Sequence, residues 1–291
     1  MPASIPPRAL TDRLEQAEEL DAPAQAIARK ARQLLAPRGL KETVSGTRVG
    51  HPVHPPLTDL VIGTFTSATL LDLLAPRTGE RAAGRLIALG IGAAIPTAVT
   101  GVNDWADTEL ADETVRRVGL VHAAVNDVAL LLYGASLVAR WRGKRTRGVL
   151  LALAGAAVLQ GGGYLGGHLS FVRGVGVNQT VFDPGPPEWT PVAKASELTD
   201  GQPRSGDAGG TPVLLARNGG VIHAVHDRCG HRGCLLSEGD LDGDVVTCSC
   251  HGSQFDIRDG AVLRGPAITA QPTFETRENN GQVEVRRVSR G

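Results

Sequence analysis

The chain has 291 residues, room for two domains of ordinary size, and its 30 basic and 30 acidic residues leave no net charge. That balance removes the global basic field that nucleic-acid binding needs, so no nucleic-acid partner is expected. Aromatic residues make up 3%, glycines number 37, and the four cysteines all fall between Cys229 and Cys250, which reads as a site and not as scattered core thiols.

Residues 1–50 show no apolar core segment of a secretory signal. Leu10 to Leu35 reads as a charged helix pair interrupted at Pro23, solvated or resting on a membrane surface. Four apolar stretches follow, Leu57–Ala75, Leu86–Val102, Val118–Val138 and Gly148–Phe171. Each is close to the ~20 residues that cross a bilayer core. They are rich in Ala and Gly and carry Asp59, Asp72, Asn126 and Asp127. The alternative is a soluble bundle of buried helices. Trp105 and Trp141 favour the membrane, because they fall just beyond span ends, where interfacial aromatics belong. In GGGYLGGH of the last stretch, Gly162/Gly166 and Gly163/Gly167 are spaced for close helix contact. The expectation is an all-α four-helix transmembrane bundle over residues 51–172.

Four spans place both ends of the bundle on one side. The connections on the other side are basic, with Arg77, Arg81 and Arg85 in one and Arg140, Arg142, Lys144, Arg145 and Arg147 in the next. The middle connection carries Asp104, Asp107, Glu109, Asp112 and Glu113 against Arg116 and Arg117. The positive-inside rule puts the basic connections in the cytoplasm and the C-terminal domain outside. His51 and His54 lie at the outer end of span one, His122 begins span three there, and His168 ends span four there. Ionisable groups in spans are costly and point to function. Three uses stand open for His51, His54, His122 and His168: binding a quinol headgroup, ligating haem or another metal, or docking helix ends and the following domain.

Residues 173–187, with VNQTVFDPGPPEW, read as a linker. From residue 188 to 291, short β-prone runs alternate with turns. Val213–Ala216, the turn Asn218-Gly219 and Val221–Val225 form a hairpin, and Val245–Thr247, Gln254–Ile257 and Val283–Val288 are further strands. This is a small all-β domain.

Within it the cysteine cluster reads CGHRGCLLSEGDLDGDVVTCSCHGSQF. Cys229 and His231 are followed, after sixteen residues, by Cys248 and His251. Two thiolates and two imidazoles suit either a zinc ion or a [2Fe–2S] centre with two Cys on one iron and two His on the other. His223 and His226 read as ordinary strand residues.

The stretch from Trp189 to Val288 resembles a Rieske [2Fe–2S] iron–sulfur domain, with HRGCLLSEG, HGSQFDIRDG and the later GPA all matching. The resemblance implies that Cys229 and Cys248 bind the inner iron and His231 and His251 the outer one. It implies a disulfide between Cys234 and Cys250, as in the Rieske proteins of cytochrome bc complexes, where many ferredoxin-type domains lack both cysteines. Ser253 stands where a hydroxyl typically donates to a cluster sulfur, which stabilises the reduced cluster. Phe255 stands where bc-type proteins usually carry a tyrosine. The Rieske class spans roughly −150 to +300 mV, and one missing donor implies a potential below the bc-type range and above the ferredoxin-type one. HPVHPPLTD, before the first span, resembles the start of a family of predicted four-helix membrane proteins without assigned function, over residues 50–171.

The implied function is electron transfer by a multi-pass membrane protein, from quinol to an external acceptor or redox partner protein. The alternatives are a ferredoxin-type component of an oxygenase or reductase system, and a redox sensor switched at Cys234–Cys250.

Overall fold

The computed structural model describes residues 6–110 and 112–288. The chain divides into two compact units, one formed by residues 1–37 and 53–175, the other by residues 38–52 and 176–291.

The first unit is helical. It comprises α1 (Pro6–Glu15), α2 (Asp21–Leu35), α4 (His54–Leu74), α5 (Glu80–Thr108), α6 (Glu113–Trp141) and α7 (Arg145–Gly167), the last continued by a π-helical turn, His168–Val172. The helix between α2 and α4, α3 (Arg38–Ser45), belongs to the second unit. α4 to α7 are long and apolar enough to cross a membrane. α5 and α6 outrun the sequence-derived spans at both ends, and α4 and α7 at their N-terminal ends, because the helix continues regularly into polar flanks. Their outward faces expose Leu89, Ile95, Leu131 and Leu150, as a lipid-facing surface requires.

Inside, Phe65 of α4 stacks on Tyr133 of α6 with ring centroids 3.9 Å apart, over Ala68, Ile87 and Ala152. Small residues let helices approach. A Cβ on Gly162 would meet Asn126 Oδ1 at 2.4 Å and one on Gly166 would meet His122 at 3.0 Å. Gly163 has nothing nearby and Gly167 meets only its own helix's Phe171 at 3.9 Å, so of the two glycine pairs only the first is a contact face.

Two expectations change here. Pro23 does not interrupt a helix pair. It sits in the first turn of α2, where a missing N–H is tolerated, and the break falls earlier, around Glu18–Leu20. Nor is α2 merely solvated: Ala24, Ala28 and Ala31 are buried, and Arg32 donates to Ala106 O at 2.6 Å and to the fully buried Glu109 at 2.7 Å.

Arg140, read as a loop cation, turns inward. It pairs with Asp72 of α4 through both guanidinium ends and donates to Ser136 Oγ at 3.2 Å, while Ser136 donates to Gly148 O of α7 at 2.6 Å. The basic connection thus presents one exposed charge fewer.

The second unit is antiparallel β. A six-stranded sheet has the order β1-β10-β9-β4-β3-β2, from β1 (Thr190–Lys194), β2 (Pro203–Ala208), β3 (Thr211–Asn218), β4 (Val221–His226), β9 (Thr273–Asn279) and β10 (Gln282–Arg287). A four-stranded sheet runs β5-β6-β7-β8, from β5 (Asp240–Asp242), β6 (Val245–Thr247), β7 (Gln254–Asp256) and β8 (Val262–Arg264). The β3–β4 hairpin pairs Asn218 with Val221, so its two-residue loop is Gly219-Gly220. Both glycines have positive φ, 57° and 82°, which only such a pair supplies cheaply; the turn therefore lies one residue beyond Asn218-Gly219. Alternating residues of β3 and β4 bury Leu214, Ala216 and Val225 against Val246 and Phe255 of the smaller sheet and Ile257 just after β7.

Candidate metal centre

Two loops of matched construction carry the motif. The first spans Cys229–Cys234, just after β4, and the second Cys248–Ser253, between β6 and β7. In each, the cysteine N–H donates to the carbonyl five residues on: Cys229 to Cys234 O and Cys248 to Ser253 O, both 2.8 Å. In each, the glycine at the fifth place returns a bond to the cysteine carbonyl, Gly233 at 2.8 Å and Gly252 at 3.0 Å. Both glycines sit in the left-handed region, φ 82° and 73°, where a side chain would be strained. The spacing Cys-x-x-x-Gly in both halves thus builds the same closed turn twice.

The turns point their donors at sulfur. Backbone N–H groups of His231 and Arg232 face Cys229, and those of Cys250 and His251 face Cys248. Both cysteines are 2% exposed. The hydrogen bond from Cys229 pulls the Cys248 thiol down to about 6, while that bond and burial push Cys229 up. Aimed backbone donors favour anionic sulfur at both places, the state in which a thiolate binds iron. Burial holds His231 well below the ordinary imidazole range, with the charges of Arg232, His251 and Lys41 acting the same way, so the ring is neutral as a metal ligand must be. The rings of His231 and His251 stand 4.9 Å apart and nearly perpendicular, at 87°. Two buried sulfurs with backbone donors and two adjacent imidazoles fit a [2Fe–2S] group.

The remaining cysteines form the disulfide Cys234–Cys250, which ties one loop to the other across 16 residues. The Cys234, Cys250 and Cys248 sulfurs lie within 4.8 Å of one another, so the staple abuts the site.

Ser253 is fully buried and its Oγ accepts the Ala267 N–H at 3.0 Å. A hydroxyl that accepts from a backbone N–H still has its own proton to give. Phe255 is fully buried among apolar residues and brings no hydroxyl.

Several residues that brace the loops carry no signal in the sequence. Gln271 donates to His226 O at 2.7 Å and accepts Gly230 N–H at 3.2 Å. Gln179 N–H donates to Gly230 O at 3.1 Å, so part of the expected linker packs on the first loop. Asp227, fully buried, accepts from Ser237 N, Ser237 Oγ and Ser205 Oγ, each at 2.7 Å.

His226 is a structural residue of this region, as the strand reading implies. Its Nδ1 accepts the Arg228 N–H at 3.1 Å, so Nε2 carries the proton and donates to Asp183 at 3.1 Å. Burial lowers the His226 pKa, against the opposing Asp183 bond. Burial pushes Asp183 up, but bonds from Thr211 and His226 outweigh it and hold the carboxyl below its ordinary value. Both folded-state values lie below the unfolded ones, so both contributions are full above about pH 6.5, the ordinary imidazole value, and fade as pH falls through the lowered values. The β unit is expected to lose melting temperature between pH 8 and 5 more steeply in wild type than in His226→Gln. Equal slopes in thermal melts followed by circular dichroism would refute this.

In the helical unit, His54 Nδ1 donates to Thr97 O at 3.1 Å and its ring packs on Gly101. His122 Nδ1 donates to Gly162 O at 2.9 Å, and Asn126 donates back to His122 O at 2.8 Å. His168 Nε2 lies 2.7 Å from Glu15 Oε1. These three sit toward one end of the bundle. His51 is exposed and belongs to the other compact unit. Among the described residues, the helical unit holds no group of three or more metal-ligating side chains.

A family model described as Rieske [2Fe-2S] domain matches residues 188–275, and one described as Predicted membrane protein (DUF2231) matches residues 50–179. The anthranilate 1,2-dioxygenase ferredoxin subunit of Burkholderia cepacia is 36% identical over 98 residues, covering 34% of this chain and 91% of that one. Ferredoxin CarAc of Metapseudomonas resinovorans is 35% identical over 98 residues, covering 33% and 92%. A chain from the solved complex of reduced oxygenase and oxidized ferredoxin in carbazole 1,9a-dioxygenase is 32% identical over 35% of this chain and 97% of that one, with a TM-score of 0.33. With a relative matched along nearly its whole length and both loops inside the matched segment, this chain belongs to the Rieske [2Fe–2S] family, its cofactor is a Rieske cluster, and its chemistry is electron transfer.

Proposed function

We propose that this protein is a membrane-tethered carrier of single electrons, taking them from quinol and passing them to an external redox partner. The observation that carries the reading is the pair of matched loops joined by Cys234–Cys250. Cys229 and Cys248 would hold one iron as thiolates, and His231 and His251 the other as neutral rings. When bound, the cluster supplies one reversible one-electron step. The protein's own residues keep the sulfurs out of water, aim backbone N–H groups at them and hold a hydroxyl, Ser253, close by.

The disulfide supports an oxidising compartment for the β unit. The basic connections support the same side, since Arg77 and Arg142 remain on them, with Arg81 and Arg147 in the adjoining first turns of α5 and α7, after Arg140 has turned inward. In this reading His54 and His122 are packing residues held by carbonyl oxygens, and His168 ties α7 to α1 through Glu15. No haem or quinone is assigned to them.

A second reading is a ferredoxin-type component of an oxygenase system. It is favoured by relatives that are themselves named ferredoxin subunits. An EPR-monitored redox titration in native membranes separates the two. A Rieske signal with a clearly positive midpoint supports quinol as donor, and a midpoint near the bottom of the class range selects the ferredoxin reading. Iron-replete protein without a Rieske signal overturns both.

A further inference from the structure

The segment Arg38–Pro52 precedes the residues matched to either family apart from its last three, yet it is part of the compact β unit. Its helix α3 is tied internally by Arg38–Glu42 at 2.8 Å and Thr43 Oγ1 to Gly39 O at 2.7 Å. After α3 comes a short turn, Thr47–Val49, set between Gly46 and Gly50, whose φ values of 86° and 65° are in the left-handed region. This turn aims Thr47 at the loop that follows β8.

Three contacts fix the segment there. Arg38 donates to Leu263 O at 3.2 Å and Thr47 Oγ1 to Ala267 O at 3.1 Å. Gly265 meets Thr47 so closely that an added Cβ would lie 2.1 Å from Thr47 Oγ1. Ala267 in turn gives its N–H to Ser253 Oγ. A continuous path therefore runs from Thr47 through both ends of residue Ala267 to the buried hydroxyl beside the metal centre.

We propose that Arg38–Pro52 is a strap that tunes the cluster from outside the Rieske domain, with Thr47 as a positioning residue for Ser253. The inference rests on Cys229, His231, Cys248 and His251 being the cluster ligands. Reduction adds a negative charge, which a hydroxyl donor stabilises. Thr47 holds the Ala267 carbonyl, and the N–H on the other side of the same Cα occupies one lone pair of Ser253 Oγ and so sets where the O–H points. Loosening Thr47 frees the backbone at Ala267 to turn, which shifts that N–H and weakens the donor without removing it.

The test is a redox titration of the full-length chain, followed by EPR, on wild type, Thr47→Val, Ser253→Ala, the double variant and Thr47→Ser. Ser253→Ala is expected to lower the midpoint. Thr47→Val shifts it the same way by less, the double variant matches Ser253→Ala alone, and Thr47→Ser restores wild type. That non-additivity is the signature of one residue acting through the other. Limited proteolysis of the metal-free protein gives a second readout, with cleavage at Arg38, Lys41 and Arg48 accelerated at least tenfold in Thr47→Val. If Thr47→Val does not load iron, Gly265→Ala displaces the same contact and takes its place. A Thr47→Val midpoint equal to wild type, or a shift that simply adds to that of Ser253→Ala, overturns the strap and leaves the ligand assignment standing. A wild-type protein with iron but no Rieske signal overturns the ligand assignment, and the strap with it.

Discussion

Cys229→Ala and Cys248→Ala are each expected to abolish the Rieske EPR signal and the bound iron, whereas Cys234→Ala/Cys250→Ala keeps both and loses stability. The contrast follows from two different jobs for four clustered sulfurs. Cys229 and Cys248 are 2% exposed, face each other through a hydrogen bond and receive backbone N–H groups. No other side chain in the two loops offers a thiolate there. Cys234 and Cys250 are already bonded to one another. Removing a cross-link that closes 16 residues forfeits about 3 kcal/mol of loop-closure entropy, seen as a lower denaturant midpoint. Iron retained at wild-type level in Cys229→Ala, or lost in the double variant, would contradict this division.

The second large effect lies in the helical unit. Asp72 and Arg140 have side chains only 1% and 5% exposed, and they meet end to end between α4 and α6. Arg140→Met strands a buried carboxylate, and Asp72→Leu strands a buried guanidinium. Each is expected to destabilise by about 3–5 kcal/mol, because an uncompensated charge is left out of water. The double variant Asp72→Leu/Arg140→Met should recover most of that loss, since it removes both charges and leaves apolar groups of similar reach. Thermal unfolding in detergent decides it. Additive losses in the double variant would mean that the two residues act separately.

Much of this was legible because it is local. Apolar runs of about twenty residues announce α4 to α7 whatever they pack against. Cys-x-His and Cys-x-x-His are visible as spacing, and so are the glycines that close each turn. What stayed hidden depends on contacts distant in the chain. Arg140 looks like any loop arginine until Asp72, 68 residues earlier, is placed beside it. Gln271 is one amide in a loop, and nothing periodic marks it as the brace of Gly230. Pro23 reads as a break in sequence because proline both breaks helices and opens them, and only the backbone tells which. The sharpest case is Thr47, which contacts Ala267 across 220 residues. Its neighbours suggest a tail of charged helix, and no pattern in them points to the β unit.

The chain enters or leaves the β unit three times, between residues 37 and 38, 52 and 53, and 175 and 176. A head hung on one linker is freed by a single cut. Here a protease acting after Val175 would leave the head fastened at a second place, by a loop whose two ends run into α2 and α4. Shedding it would need the contacts of Arg38 and Thr47 to let go as well. The same arithmetic governs recombinant fragments. One begun at residue 188, where the family match starts, omits Arg38 and Thr47 and leaves the carbonyls of Leu263 and Ala267 without those donors. A soluble form faithful to the intact protein would have to carry residues 38–52 back in, on a linker of their own.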